Sequence, residues 1–213
     1  MVERRFVREE LRSDPHWRAV GAIVLMIGAM ALPLLEWSPA ATATEVPGSN
    51  AARYESIPSY GVIWEGRLTR SGQPSDEGWT WLRRQGVRAI VDFRGEDGIA
   101  DQGVRFRYTL WVPFTKETPP TDDEAEEFLT FVRDRSHWPI HMHCKSGRDR
   151  TGLMAALVRY AIDGWPLERA LTEARTYRDG EDLPPLYVAW LRRWAADHPR
   201  GSHRLELAVA PRG

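Results

Sequence analysis

Ten consecutive residues constrain this chain more than any other stretch: His143-Cys144-Lys145-Ser146-Gly147-Arg148-Asp149-Arg150-Thr151-Gly152. They follow the short apolar run Trp138 to Met142 and precede the helical pattern Leu153 to Ala161, so the chain reads as strand, loop and helix. A loop that curls into a helix N-terminus aims successive backbone N–H groups and the positive end of the helix dipole at one point, which makes an anion site. Gly147 and Gly152 let the backbone approach an anion where a Cβ would interfere. Arg150 can curl over the mouth and hold two oxygens with its planar fork. The dipole and the charges of Lys145, Arg148 and Arg150 favour thiolate over thiol at Cys144, which becomes a nucleophile aimed at phosphorus if the anion is a phosphate.

His-Cys, five residues, then Arg-Thr-Gly resembles the phosphate-binding loop of the cysteine-dependent protein tyrosine and dual-specificity phosphatase superfamily. The resemblance implies a phosphocysteine on Cys144, Arg150 clamping the transferring phosphoryl group, and a Thr151 hydroxyl that stabilises the sulfur as it leaves. It implies Lys145, Ser146, Gly147, Arg148 and Gly152 as the rest of the phosphate cradle, and neither cofactor nor metal. A second stretch, Arg70-Ser71-Gly72-Gln73-Pro74, a helix, then Val91-Asp92-Phe93-Arg94, resembles the front half of small atypical dual-specificity-like members. A buried structural cysteine does not explain the four charges among residues 145–150. A rhodanese-type sulfur-carrying loop is typically shorter and lacks the Arg-Thr-Gly ending.

Dephosphorylation also requires a proton donor for the leaving oxygen and a base for the attacking water. Better-known members of the superfamily supply an Asp from a loop upstream of the nucleophile. The corresponding loop here, Pro113 to Pro120, holds no Asp, and Glu117 is its only acid. Asp122 and Asp123 lie at the next helix start, where the dipole favours the ionised form. Asp149 is the other candidate, because some relatives with Asp at this loop position lack the upstream acid; its alternative role is a structural carboxylate that orients the arginines. His141 and His143 share a strand face. A His-x-His pair can begin a metal site, but no third ligand has suitable spacing. His143 then reads as a hydrogen-bonding group near Cys144, and His141 as a core-edge residue.

Val62-Ile63-Trp64 and Gly66 to Arg70 read as a short strand pair, followed by the turn residues Ser71 to Pro74. Ser75 caps a helix to Gln85, with Asp76 and Glu77 in its first turn and Gly86 as its stop. Val87 to Phe93 reads as a buried central strand and Arg105 to Pro113 as another. Thr121-Asp122-Asp123-Glu124 is a capping box ahead of Ala125, Phe128, Leu129 and Val132 at helical spacing. Leu167 to Tyr177 and Leu186 to Ala196 supply the remaining helices. Alternating strands and helices predict an α/β domain over residues 54–199, three layers deep, with a largely parallel central sheet flanked by helices. Residues 200–213 read as a tail, in which Leu205 to Val209 alternates as an edge strand would.

Ahead of the domain, Ala19 to Leu35 carries no charge over 17 residues, roughly 26 Å as a helix and the low end of a membrane span. Arg4, Arg5, Arg8, Arg12 and Arg18 precede this run, and no Lys or Arg follows until Arg53. The positive-inside bias therefore keeps the N-terminus cytoplasmic and sends the domain across. Trp17 and Trp37 bracket the run as interfacial anchors would, which favours an uncleaved anchor within residues 1–37. Ala41-Thr42-Ala43 offers a signal-peptidase site whose cleavage would release the domain. Residues 38–53 read as a linker.

The net charge is -1, with basic residues matched by acidic ones, which argues against a nucleic-acid face. Lys145 and Arg148 nevertheless add charge beyond what one phosphate needs. Basic residues at these loop positions resemble the phosphoinositide phosphatase group, so a phosphorylated lipid or inositol phosphate stands as the alternative to a phosphorylated protein. From another class, the domain could be a phosphate-binding module that keeps Arg150 and the backbone nest without a working acid.

Overall fold

The chain order of the strands is not their order in space. In the computed structural model, which describes residues 55–95 and 105–205, strands β1 (Gly61–Trp64), β2 (Leu68–Ser71), β3 (Ala89–Arg94), β4 (Tyr108–Phe114) and β5 (Ile140–His143) form one sheet in the order β1-β2-β5-β3-β4. β1 and β2 pair antiparallel, whereas β2 with β5, β5 with β3 and β3 with β4 pair parallel. The sheet is therefore mixed, and its parallel character belongs to the four strands around β5. All four residues of β5 are buried. Its carboxyl end opens between two parallel neighbours, the part of an α/β sheet where ligands bind.

Among the described residues five α-helices accompany the sheet: α1 (Asp76–Arg84), α2 (Asp122–Arg133), α3 (Arg150–Ala161), α4 (Leu167–Thr176) and α5 (Pro185–Asp197). Ser75 Oγ accepts from the Gly78 N–H at the start of α1. Thr121 and Glu124 close the expected capping box on α2, with Thr121 N–H donating to the Glu124 carboxylate at 2.7 Å. These caps satisfy donors that the helix itself leaves open. α3 begins at Arg150, three residues before the apolar pattern, because the end of the reactive loop is itself the first helical turn. β4 extends over Pro113 to Phe114; a proline, which lacks an N–H, is tolerated there because β4 is an edge strand.

β3 shows how the core is divided. Ala89, Val91 and Phe93 belong to the main cluster with residues of α2 to α5, while Ile90 belongs to a second cluster with Trp79 and Leu82 of α1 and with Ile57. The alternation of side chains along a strand thus places α1 against one face and the other helices against the opposite face. Arg159 of α3 fastens the hairpin to this body: it donates to the Ile63 carbonyl at 2.9 Å and pairs with Asp163 and Glu173.

Residues 201–203, expected as tail, are hydrogen-bonded to the end of α3, through Gly201 N–H to Tyr160 O (3.0 Å) and His203 N–H to Ala161 O (2.9 Å). Leu205 packs on the main core. The remainder of the alternating Leu205 to Val209 piece, the Ala19 to Leu35 run and the linker lie outside the described residues. Among the described residues no helix is long and apolar enough to cross a membrane.

Candidate active site

β5 delivers Cys144 to the floor of the loop, where it is 1% exposed. The Gly147 N–H points back at Cys144 Sγ, 3.3 Å away. Helix α3 starts immediately after with no side-chain cap, so its open N–H groups and dipole face the same space. Arg150 Nη1 lies within reach of the Phe93 and Phe114 carbonyls (3.5 and 3.4 Å), at the ends of β3 and β4. Cys144, the Gly147 amide and the start of α3 therefore come together, with Arg150 directed toward the ends of β3 and β4. Lys145 and Ser146 are exposed at the rim, while Thr151 and Gly152 are buried. The Thr151 hydroxyl donates to the Ser71 carbonyl at 3.3 Å, which fixes the first turn of α3 to β2.

The loop rests on the Arg70–Gln73 stretch. Gly147 has φ of +75°, and a Cβ there would lie 2.3 Å from Gly72 N, while a Cβ on Gly72 would lie 2.8 Å from Ser146 C. Two backbones touch at this point, and only glycine on both sides permits it. Gln73 N–H donates to Lys145 O at 3.0 Å, and Arg70 Nη2 donates to Gly147 O. Arg70 is 1% exposed with its guanidinium 3.8 Å from the centre of the Tyr177 ring. Burial pulls Arg70 down to about 10, against the attraction of Tyr177 and Cys144.

Polar groups continue beneath Cys144. His141, expected at a core edge, is fully buried, with Nδ1 2.9 Å from Thr69 Oγ1 and Nε2 2.8 Å from Ser71 Oγ. Burial, reinforced by the neighbouring His143, holds its ring well below the usual 6.5. His143 is equally buried, edge-on to Trp79 and 4.0 Å from the Asp92 carboxylate. Asp92 accepts from the Arg94 backbone N–H at 2.9 Å and from its guanidinium at 2.7 Å.

The candidate acids separate cleanly. Asp149 is held by Lys116 (3.0 Å) and Arg178, so the structure places it as a tie between the reactive loop, the 115–120 loop and the segment after α4. Asp122 is engaged by Arg193 at 3.0 Å. Glu117 is exposed on the same short loop whose Lys116 touches Asp149. Arg148 pairs with Asp179 at 2.7 Å.

Sequence reasoning quoted Arg70 and Asp92 in the second family-like stretch without giving them a role at the site, and gave none to Lys116, Tyr177 or Arg178. The signal for Arg70 was present: it shares a strand face with Leu68, so the alternation of β2 puts an arginine where the core demands an apolar residue. The Lys116–Asp149–Arg178 tie joins three separate segments, and no local pattern announces it.

A buried cysteine on the floor of a strand–loop–helix, set in a mixed α/β sheet, is the arrangement found in cysteine-based phosphatase folds. The chain belongs to the family described as DSP-PTPase phosphatase fused to NAD+ kinase, whose model matches residues 58–183. It is 32% identical over 122 residues to the dual specificity protein phosphatase TpbA of Pseudomonas aeruginosa, covering 54% of each protein; the match thus spans about half of that relative's length. It is 26% identical over 126 residues to the inositol diphosphatase DSP3 of Arabidopsis thaliana, covering 54% of this chain and 61% of that one. The fold is shared with the catalytic core of the PP-IP phosphatase SIW14 of S. cerevisiae, at a TM-score of 0.54 and 16% identity over 65% of this chain and 87% of that one.

Proposed function

We propose that the domain hydrolyses phosphomonoesters of protein side chains through a phosphocysteine on Cys144. The observation that carries this is the Gly147 N–H directed at Cys144 Sγ, 3.3 Å away, at the uncapped start of α3. The sulfur attacks phosphorus, the ester P–O bond breaks, and the leaving oxygen takes a proton. Water then attacks phosphorus, the S–P bond breaks, and inorganic phosphate and the thiolate are released. Backbone N–H groups and the Arg150 fork hold the equatorial oxygens as charge spreads over them. Glu117 supplies the proton, because Asp149 and Asp122 are occupied by cations and Glu117 stands on the loop beside the mouth. The dual-specificity activity in the name of the TpbA relative supports the same reading.

An inositol phosphate substrate is the second reading, supported by the exposed Lys145 and by the name of the DSP3 relative. Asp179 engages Arg148, whereas two cations, Lys116 and Arg178, share the single carboxylate of Asp149; the first reading is preferred because TpbA is the more similar of the two relatives, 32% identical against 26%. The Ala19 to Leu35 run and its arginine-rich flank support delivery of the domain across a membrane, as an anchored or a released form; protease accessibility of the domain in intact cells tests that placement.

The experiment is hydrolysis of an aryl phosphate, a phosphotyrosine peptide and an inositol polyphosphate by the full chain and by Cys144→Ser. Turnover of the first two that disappears in the variant is expected. Preference for the inositol polyphosphate would select the second reading, and no turnover by folded, reduced protein would leave a phosphate-binding module.

A further inference from the structure

Arg70 makes one hydrogen bond among the described residues, to the Gly147 carbonyl, while its Nε and Nη1 are buried without partners. A buried guanidinium is expected to have its donors satisfied, and leaving them open is costly. The face of the Tyr177 ring, 3.8 Å away, compensates part of the charge, and Cys144 and Glu173 add attraction from further off. Tyr177 in turn is wedged against β1, where a Cβ on Gly61 would lie 2.1 Å from its hydroxyl. The residue Arg70 holds is the most permissive one of the loop, a glycine at φ of +75° whose N–H faces the nucleophile. Fixing the Gly147 carbonyl fixes the peptide that follows, and with it the range of orientations open to the Gly147 N–H.

The geometry points to Arg70 as the positioning residue that holds the reactive loop in its anion-binding shape, acting through the Gly147 carbonyl and braced by Tyr177. This rests on the phosphatase reading of the Cys144 loop. Gly61, Tyr177, Arg70 and Gly147 then form a continuous brace from the edge hairpin to Cys144. Loss of the brace lets Gly147 rotate and withdraws an N–H from the sulfur and from any bound phosphate. The field of Arg70 also reaches Cys144, which is among the attractions that offset its burial.

The test uses the full chain and exploits its single cysteine. Alkylation of Cys144 by iodoacetamide is followed at about pH 6 and about pH 9, with and without inorganic phosphate, in wild type, Arg70→Met, Arg70→Lys and Tyr177→Leu. In Arg70→Met the rate at the lower pH falls about tenfold while the rate at the higher pH stays near that of wild type, because the loss is in thiolate and not in access. Protection by phosphate weakens about tenfold in the same variant. Arg70→Lys restores part of both effects, and Tyr177→Leu shifts both in the direction of Arg70→Met. A folded Arg70→Met with the wild-type rate ratio and protection overturns the proposal. If Arg70→Met does not fold, an unchanged profile in Tyr177→Leu overturns it. Alkylation and protection are read without turnover, so wild type that is protected by phosphate yet hydrolyses nothing refutes the phosphatase reading alone.

Discussion

Acidification should weaken the polar packing beneath the reactive loop by an amount that His141 sets. Its ring is fully buried, with each nitrogen bonded to a hydroxyl, at 2.9 Å from Thr69 Oγ1 and 2.8 Å from Ser71 Oγ. Burial first, and the adjacent His143 second, hold it well below the ordinary 6.5. Below that pH the unfolded chain takes up a proton that the folded chain refuses. Stability from this residue is therefore full above 6.5 and declines as pH falls below it, at up to about 1.4 kcal/mol per pH unit. At about pH 5 the loss from His141 reaches at most about 2 kcal/mol, a large fraction of the stability of a typical domain. Urea denaturation of wild type and His141→Gln across this range, at constant ionic strength, isolates the effect. Gln keeps a hydrogen-bonding group and removes the titration, and contributions from exposed acids such as Asp134 cancel in the difference. The wild-type curve should fall more steeply than that of the variant below 6.5. Equal slopes would refute the reasoning.

Glu117→Gln should slow hydrolysis of an alkyl phosphate about a hundredfold, the scale of general acid catalysis, while barely changing an aryl phosphate whose leaving group needs no proton; equal slowing of both removes Glu117 as donor. Asp149→Asn cuts the tie to Lys116 and Arg178 and should slow both substrates alike, measured as kcat/KM, whereas selective loss on the alkyl ester would make Asp149 the acid. Phe128 is fully buried and edge-on to Phe93 with ring centres 5.5 Å apart, so Phe128→Ala should lower unfolding stability by about 3 to 5 kcal/mol, read from the urea midpoint at unchanged slope.

Local signals carried most of the fold. Ser75, the Thr121 to Glu124 box and Gly86 lie where the sequence put the helix boundaries, because capping is decided by neighbours in the chain. The order of the strands was not legible in that way, since β5 enters between β2 and β3 only through pairing across the whole domain. The reactive loop was legible because its chemistry is packed into ten consecutive residues. Its supports were less so: Arg70 is marked in the sequence only as an arginine on the core face of β2, and Lys116 and Arg178 act from distant segments whose partner is set by tertiary contact. Asp149 shows the consequence: its place beside Arg150 left acid and structural tie as equal readings, and the Lys116 and Arg178 that meet it come from distant segments.

Rapid acid quench of the full chain during turnover of an aryl phosphate, followed by mass spectrometry of the Cys144 peptide, tests the central claim most directly. A phosphoryl group on Cys144 that builds up before steady state and drains as inorganic phosphate appears is the predicted result. Steady turnover with Cys144 unmodified at every quench time, or substantial turnover retained in Cys144→Ser, would contradict the account.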